Sequence, residues 1–198
     1  MSRKSSLRRR PPFREARPRI LVVCEGEVTE VEYFTGLRIA ERIPIELEVD
    51  PGGDPKALVD RAVKSARASR RAKDPYDHVW CVFDVDEHPK MADAKQKALA
   101  NKLPYALSNP CFELWILLHF QDQTASLDRH QALRLCQSHM PGYDKHLPPG
   151  VLEDLYDDAI MRAEALIRRQ QGIGDPEGNP STGVHELVRI VRSYRTTG

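Results

Sequence analysis

Apolar residues in this chain arrive in short bursts separated by charged, helix-periodic stretches. Residues 19–24 end in the run Ile-Leu-Val-Val-Cys, which stops abruptly at Glu25-Gly26-Glu27. A short run that is apolar on both sides and closed by turn residues predicts a strand buried on both faces. Val31, Phe34 and Leu37 mark an apolar stripe over residues 29–41, and Thr29 and Glu32 have the spacing of a capping box. Residues 45–49 alternate, as a half-exposed edge strand does. Asp54 and Pro55 then provide a cap and a first-turn proline for a helix to about Arg71. A second apolar strand over residues 78–83 ends in Asp84-Val85-Asp86. A polar helix of about 89–101 and a short strand at 103–107 follow. Asn109 is a good N-cap, and Pro110 starts a helix that is apolar almost all round through Phe120 and so must be buried. Residues 128–139, 151–170 and 184–194 predict further amphipathic helices, separated by Pro/Gly-rich segments at 141–150 and 172–183. Alternating strands and helices predict a three-layer α/β domain with a mostly parallel central sheet and C-terminal helices.

Two apolar strands that each deliver acids at their C-terminal ends predict one site, because a parallel sheet brings those ends together. Glu25 belongs to the strand end, which helix capping does not explain, whereas Glu30 and Glu32 also suit a helix N-terminus. Asp84 and Asp86 lie two apart in an extended segment and point to the same side. Converging carboxylates repel one another, and a divalent cation with hard oxygen ligands is the usual remedy. Glu25, Asp84 and Asp86 are therefore the expected ligands of Mg²⁺ or Mn²⁺. Gly26 allows a turn or a close backbone approach; Glu27 and His88 are further candidates. Glu113, early in the apolar helix, is either held by free backbone N–H groups or joins the acidic cluster. Lys145 is a candidate cation for transition-state phosphate charge. His119 reads as a core residue. Asn179–Thr182 either cap the last helix or face a phosphate.

The 198 residues suit one domain, and the net charge of +1 conceals an asymmetry. Residues 1–19 carry eight basic side chains against Glu15, a local +7, which leaves −6 on the rest. Residues 1–18 therefore read as a disordered basic arm, with Arg8, Arg9 and Arg10 as candidate nucleic-acid phosphate contacts, on a single domain over 19–198. The alternative is a solubilising terminus or weak membrane-surface contact. The four cysteines form no CxxC pair, which points to a reducing cytoplasm. No stretch is long and apolar enough for a membrane span, and no secretory signal is evident.

A DxD motif alone does not distinguish a nuclease from a haloacid-dehalogenase-like phosphohydrolase or a glycosyltransferase. The acid–glycine motif on the first strand separates them. Cys24-Glu25-Gly26-Glu27-Val28-Thr29-Glu30 with Tyr33-Phe34 resembles the opening motif of the RloB-like (AbiLii) family. Phe83–His88, Ser108–Trp115 and Asn179–Thr182 resemble its later motifs, so the likeness spans residues 19–194. That resemblance implies a Toprim-like fold in which Glu25 and the Asp84/Asp86 pair hold Mg²⁺. It also implies a nuclease associated with bacterial restriction loci and phage defence, with a defence partner protein or self-association to restrain it. The rival readings are a non-catalytic nucleic-acid- or protein-binding module and a phosphatase of small phosphomonoesters. DNA and RNA substrates are equally compatible with the residues.

Overall fold

The structure, a computed structural model, describes residues 17–51, 54–85 and 90–195. Five strands form one sheet: β1 (Ile20–Cys24), β2 (Ile45–Val49), β3 (His78–Asp84), β4 (Tyr105–Asn109) and β5 (Ser181–Thr182), in the order β2-β1-β3-β4-β5. The first four are parallel and β5 runs antiparallel to β4. Among the described residues, seven α-helices accompany them: α1 (Thr29–Glu41), α2 (Pro55–Arg71), α3 (Met91–Ala100), α4 (Glu113–Leu118), α5 (Arg129–His139), α6 (Tyr156–Gly172) and α7 (Val184–Ser193).

The period-2 geometry of β1 divides the core. Ile20, Val22 and Cys24 face the cluster that holds Phe34, Leu37, Trp115 and Val188, while Leu21 and Val23 face Leu58, Val59, Ala94 and Ala98. The connection from β1 to β2 moves one way along the sheet, and those from β2 to β3 and β3 to β4 move the other. Because parallel crossovers are right-handed, this reversal places α1 on one face and α2 and α3 on the opposite face. The loops leaving β1 and β3 therefore diverge, and a crevice opens between the C-terminal ends of these neighbouring strands. In open α/β sheets that is where ligands bind.

Several local expectations hold for physical reasons. Asp54 caps α2 by accepting from the Lys56 N–H at 3.0 Å, with Pro55 in the first helical turn. Asp128 and Gln131 form a reciprocal capping box at α5. Strand β2 is the sheet edge, and its outward Glu46 accepts hydrogen bonds from Arg19 (2.6 Å) and Tyr76 (2.5 Å). All four cysteines are buried free thiols.

Other expectations are corrected. Thr29 and Glu32 do not cap α1: Val28 is the N-cap residue and carries no side-chain cap. Asn109 and Pro110 do not begin a helix. Asn109 ends β4, donates from Nδ2 to the Glu177 carbonyl at 2.9 Å and is followed by a cis peptide bond. The buried helix is only Glu113–Leu118, opened by Phe112. The segment 172–183 contains a strand, β5, pinned to β4 by the buried Ser108–Thr182 hydroxyl pair at 2.9 Å. Asn179 neither caps nor points to a free phosphate site: its amide bonds both the N–H and the carbonyl of Leu127. Among the described residues no helix is long and apolar enough to cross a membrane. Of the basic arm, residues 1–16, including Arg8, Arg9 and Arg10, lie outside the described residues. Arg17 donates to the Arg42 carbonyl at 2.7 Å.

Candidate active site

A cavity of about 500 Å³ lies at the β1/β3 crevice, and its lining collects most of the side chains singled out above. Glu25, Gly26, Glu27 and Glu30 enter from the β1–α1 turn, Asp84 from the end of β3 and Glu113 from the start of α4. Lys145 enters from the loop between α5 and α6. Glu25 and Asp84 are each half-buried, and Glu25 Oε2 and Asp84 Oδ1 are shielded from solvent. The parallel register of β1 and β3 makes them neighbours: Cys24 pairs with Val82, so each acid follows close behind the last paired residues. The Val85 N–H donates to the Ser108 carbonyl at 2.8 Å and so fixes the chain directly after Asp84. Asp86 and His88 lie outside the described residues.

Two further carboxylates stand deeper. Glu30 and Glu113 are both buried, each with 7% of its surface exposed. Burial pushes the Glu30 carboxyl up to about 7. Its own backbone N–H opposes the shift, Glu113 and Glu25 add repulsion, and Lys145 partly offsets them. Glu113 sits at the first position of α4, where exposed backbone N–H groups and the helix dipole favour an anion. The same negative field reaches the thiols. Burial and then Glu30 hold Cys24 up to about 12, and burial, Glu113 and Asp84 raise Cys111. Thiols kept protonated in this way are poor nucleophiles.

Gly26 plays a more specific part than a turn residue. A Cβ built on it would stand 1.8 Å from Glu30 Oε2 and 2.1 Å from Glu30 Cδ. The missing side chain is thus the space into which the Glu30 carboxylate folds. Lys145 is exposed, and its backbone lies in the left-handed region at φ +82°, a conformation that costs a non-glycine residue about 1–2 kcal/mol.

Arg129 and His130, on the first turn of α5, also line the cavity and were not anticipated from the sequence. A signal was present. Helix N-termini favour acids, and an Arg-His pair directly behind the Asp128 cap runs against that preference. The cavity therefore has an acidic floor and three basic groups at its wall.

Among the described residues, no three His, Cys, Asp or Glu side chains form a ready cluster for a metal ion. The donor chemistry nonetheless fits Mg²⁺ or Mn²⁺. Mg²⁺ keeps several waters and is commonly held by one or two carboxylates together with substrate phosphate. Glu25 and Asp84 supply two half-buried hard-oxygen donors to the lining of one cavity.

Comparison with known proteins agrees with the sequence resemblance at the family level. Neither the curated proteins nor the solved structures contain a significant match. Residues 20–191 match the family model described as RloB-like protein, a span that runs from β1 into α7 and takes in every described wall of the cavity, and the chain belongs to that family.

Proposed function

We propose that this chain is a Toprim-like, Mg²⁺- or Mn²⁺-dependent nuclease that hydrolyses nucleic-acid phosphodiesters, acting in bacterial phage defence. The observation that carries the reading is the meeting of Glu25 and Asp84 at adjacent strand ends in one cavity. Its acidic floor and basic wall suit a phosphate that approaches through a divalent cation. Glu25 and Asp84, with Asp86 as the third expected donor, would hold the ion. When bound, the ion would polarise the scissile phosphate and lower the pKa of an attacking water. Lys145 faces the same space and offers a positive charge to phosphate oxygens as charge builds on them. Glu30, whose carboxyl titrates near neutrality, can hold or release a proton at the cavity floor. Arg129 and His130 suit the flanking backbone of the nucleic acid. Buried, unpaired thiols support a reducing cytoplasm.

The test is direct. Purified protein incubated with pooled DNA and RNA and Mg²⁺ or Mn²⁺ should cleave one of them. Cleavage should stop with a chelator and in the Asp84→Ala variant, while substrate binding persists. Binding without metal-dependent cleavage, with candidate partners present, would establish the non-catalytic module instead. Release of phosphate from small monoesters alone would establish a phosphatase.

A further inference from the structure

We infer that Glu32, together with Thr29, is a positioning residue for Lys145: the first turn of α1 clamps the loop that delivers this lysine to the acidic cavity. The inference rests on the nuclease reading above and concerns how one of its charged groups is held.

Thr29 and Glu32 have the spacing of a capping box, yet Val28 is the N-cap residue and α1 has no side-chain cap. They reach across the fold instead. Thr29 Oγ1 donates to the Lys145 carbonyl at 3.0 Å and lies 3.4 Å from the Tyr143 hydroxyl. Glu32 accepts from the Leu147 backbone N–H at 2.6 Å and lies 2.7 Å from His146 Nδ1. Three consecutive loop residues are thus tied to one helical turn, through contacts 114–116 positions apart in the chain. The first of the three, Lys145, sits at φ +82°. A non-glycine residue keeps that conformation only where its surroundings impose it.

The clamp matters because of what else lines the cavity. Among the described residues, its other basic groups, Arg129 and His130, are carried by α5, whereas Lys145 stands on irregular chain. A lysine is a point charge on a flexible four-carbon stem, so its placement depends on where its backbone is fixed. The Glu32–His146 pair is solvent-exposed and contributes little as an ion pair. The hydrogen bond to the Leu147 N–H is different, because it fixes main chain. Glu30 and Glu32 therefore divide the labour of one helical turn: Glu30 lines the cavity, and Glu32 braces a wall of it.

A double-mutant cycle on the full chain tests this. Lys145→Ala should lower kcat by about 10²–10³-fold, as loss of a transition-state charge partner does. Glu32→Ala should lower kcat by about tenfold or more with KM little changed, since small misplacements are costly. The double variant should be no slower than Lys145→Ala alone. Glu32→Gln, which retains an acceptor for the Leu147 N–H, should recover most of the rate. Hydrogen exchange at the Leu147 amide should accelerate in Glu32→Ala and not in Glu32→Gln. Additive losses in the cycle, unchanged kcat in Glu32→Ala, or an unchanged Leu147 amide would overturn the clamp. If the wild-type protein shows no metal-dependent cleavage, the nuclease reading fails. The Leu147 exchange rate then decides the clamp by itself.

Discussion

Replacing Glu30 with glutamine removes a buried, perturbed carboxylate of the site while keeping its shape. In the folded, metal-free protein this group binds its proton up to about pH 7, and in the unfolded chain only up to the ordinary glutamate value of 4.5. Between those values the folded state carries the extra proton, so the contribution of Glu30 to stability declines as pH rises. It is fully present below pH 4.5 and gone above pH 7. Raising the carboxyl from 4.5 to about 7 corresponds to about 3 kcal/mol, at about 1.36 kcal/mol for each tenfold change in proton affinity. Because Glu30 is only 7% exposed, solvent screening takes little from that figure. Glutamine cannot ionise, so the stability of Glu30→Gln relative to wild type should climb by about 3 kcal/mol between pH 4 and pH 8. For a chain of this length that is roughly 6–12 °C in Tm. Chemical denaturation at fixed pH steps in chelator reads this difference directly, and any constant offset from the amide drops out. A flat difference across the window would refute the placement of Glu30 as a buried acid repelled by Glu113 and Glu25.

Three further outcomes follow from the same geometry. If Glu25 and Asp84 hold Mg²⁺, ten times the Kd of the ion should stabilise the protein by about 1.4 kcal/mol, roughly 3–6 °C. Asp84→Ala should abolish that shift in a thermal scan, and a surviving shift would move the ion elsewhere. Gly26→Ala should cost about 1–3 kcal/mol, because its methyl group displaces the Glu30 carboxylate. The same change in a Glu30→Ala background should cost far less, and equal costs in denaturant titrations would contradict the packing. His119 is buried, and burial holds its imidazole down at about 4. Its contribution to stability is present above pH 6.5 and lost as pH falls toward 4, so His119→Asn should flatten the acid limb of the stability profile.

Much of the fold was legible because its elements are locally determined. The apolar bursts at 20–24 and 78–83 are too short and too uniformly apolar for anything but buried strands. Asp54-Pro55 and Asp128 announced their helices through capping chemistry that depends on near neighbours alone. The placement of Glu25 and Asp84 at strand ends followed from the same patterns. Where expectation failed, a distant partner had outbid a local one. Thr29 and Glu32 carry a capping-box pattern, but the 143–147 loop offers Thr29 a carbonyl and Glu32 an N–H in place of the backbone N–H groups of their own helix. Asn109 has the composition of a cap and instead completes β4 against Ser181. Strand β5 is two residues long, below the length at which alternation can be seen at all.

The first four strands and the acids that close β1 and β3 were thus written in the chain itself, since burial on both faces and turn chemistry depend on residue type and spacing. Which side chains share the cavity was decided only in three dimensions. The reversal at β1 opens the crevice, Gly26 leaves the volume that Glu30 fills, and α4, α5 and the Lys145 loop converge on it from 80 to 120 residues away. Contacts over such separations are set by packing and right-handed crossovers rather than by any local pattern, which is why the place of Arg129 and His130 in the cavity wall and the bracing role of Glu32 emerge only in the tertiary structure.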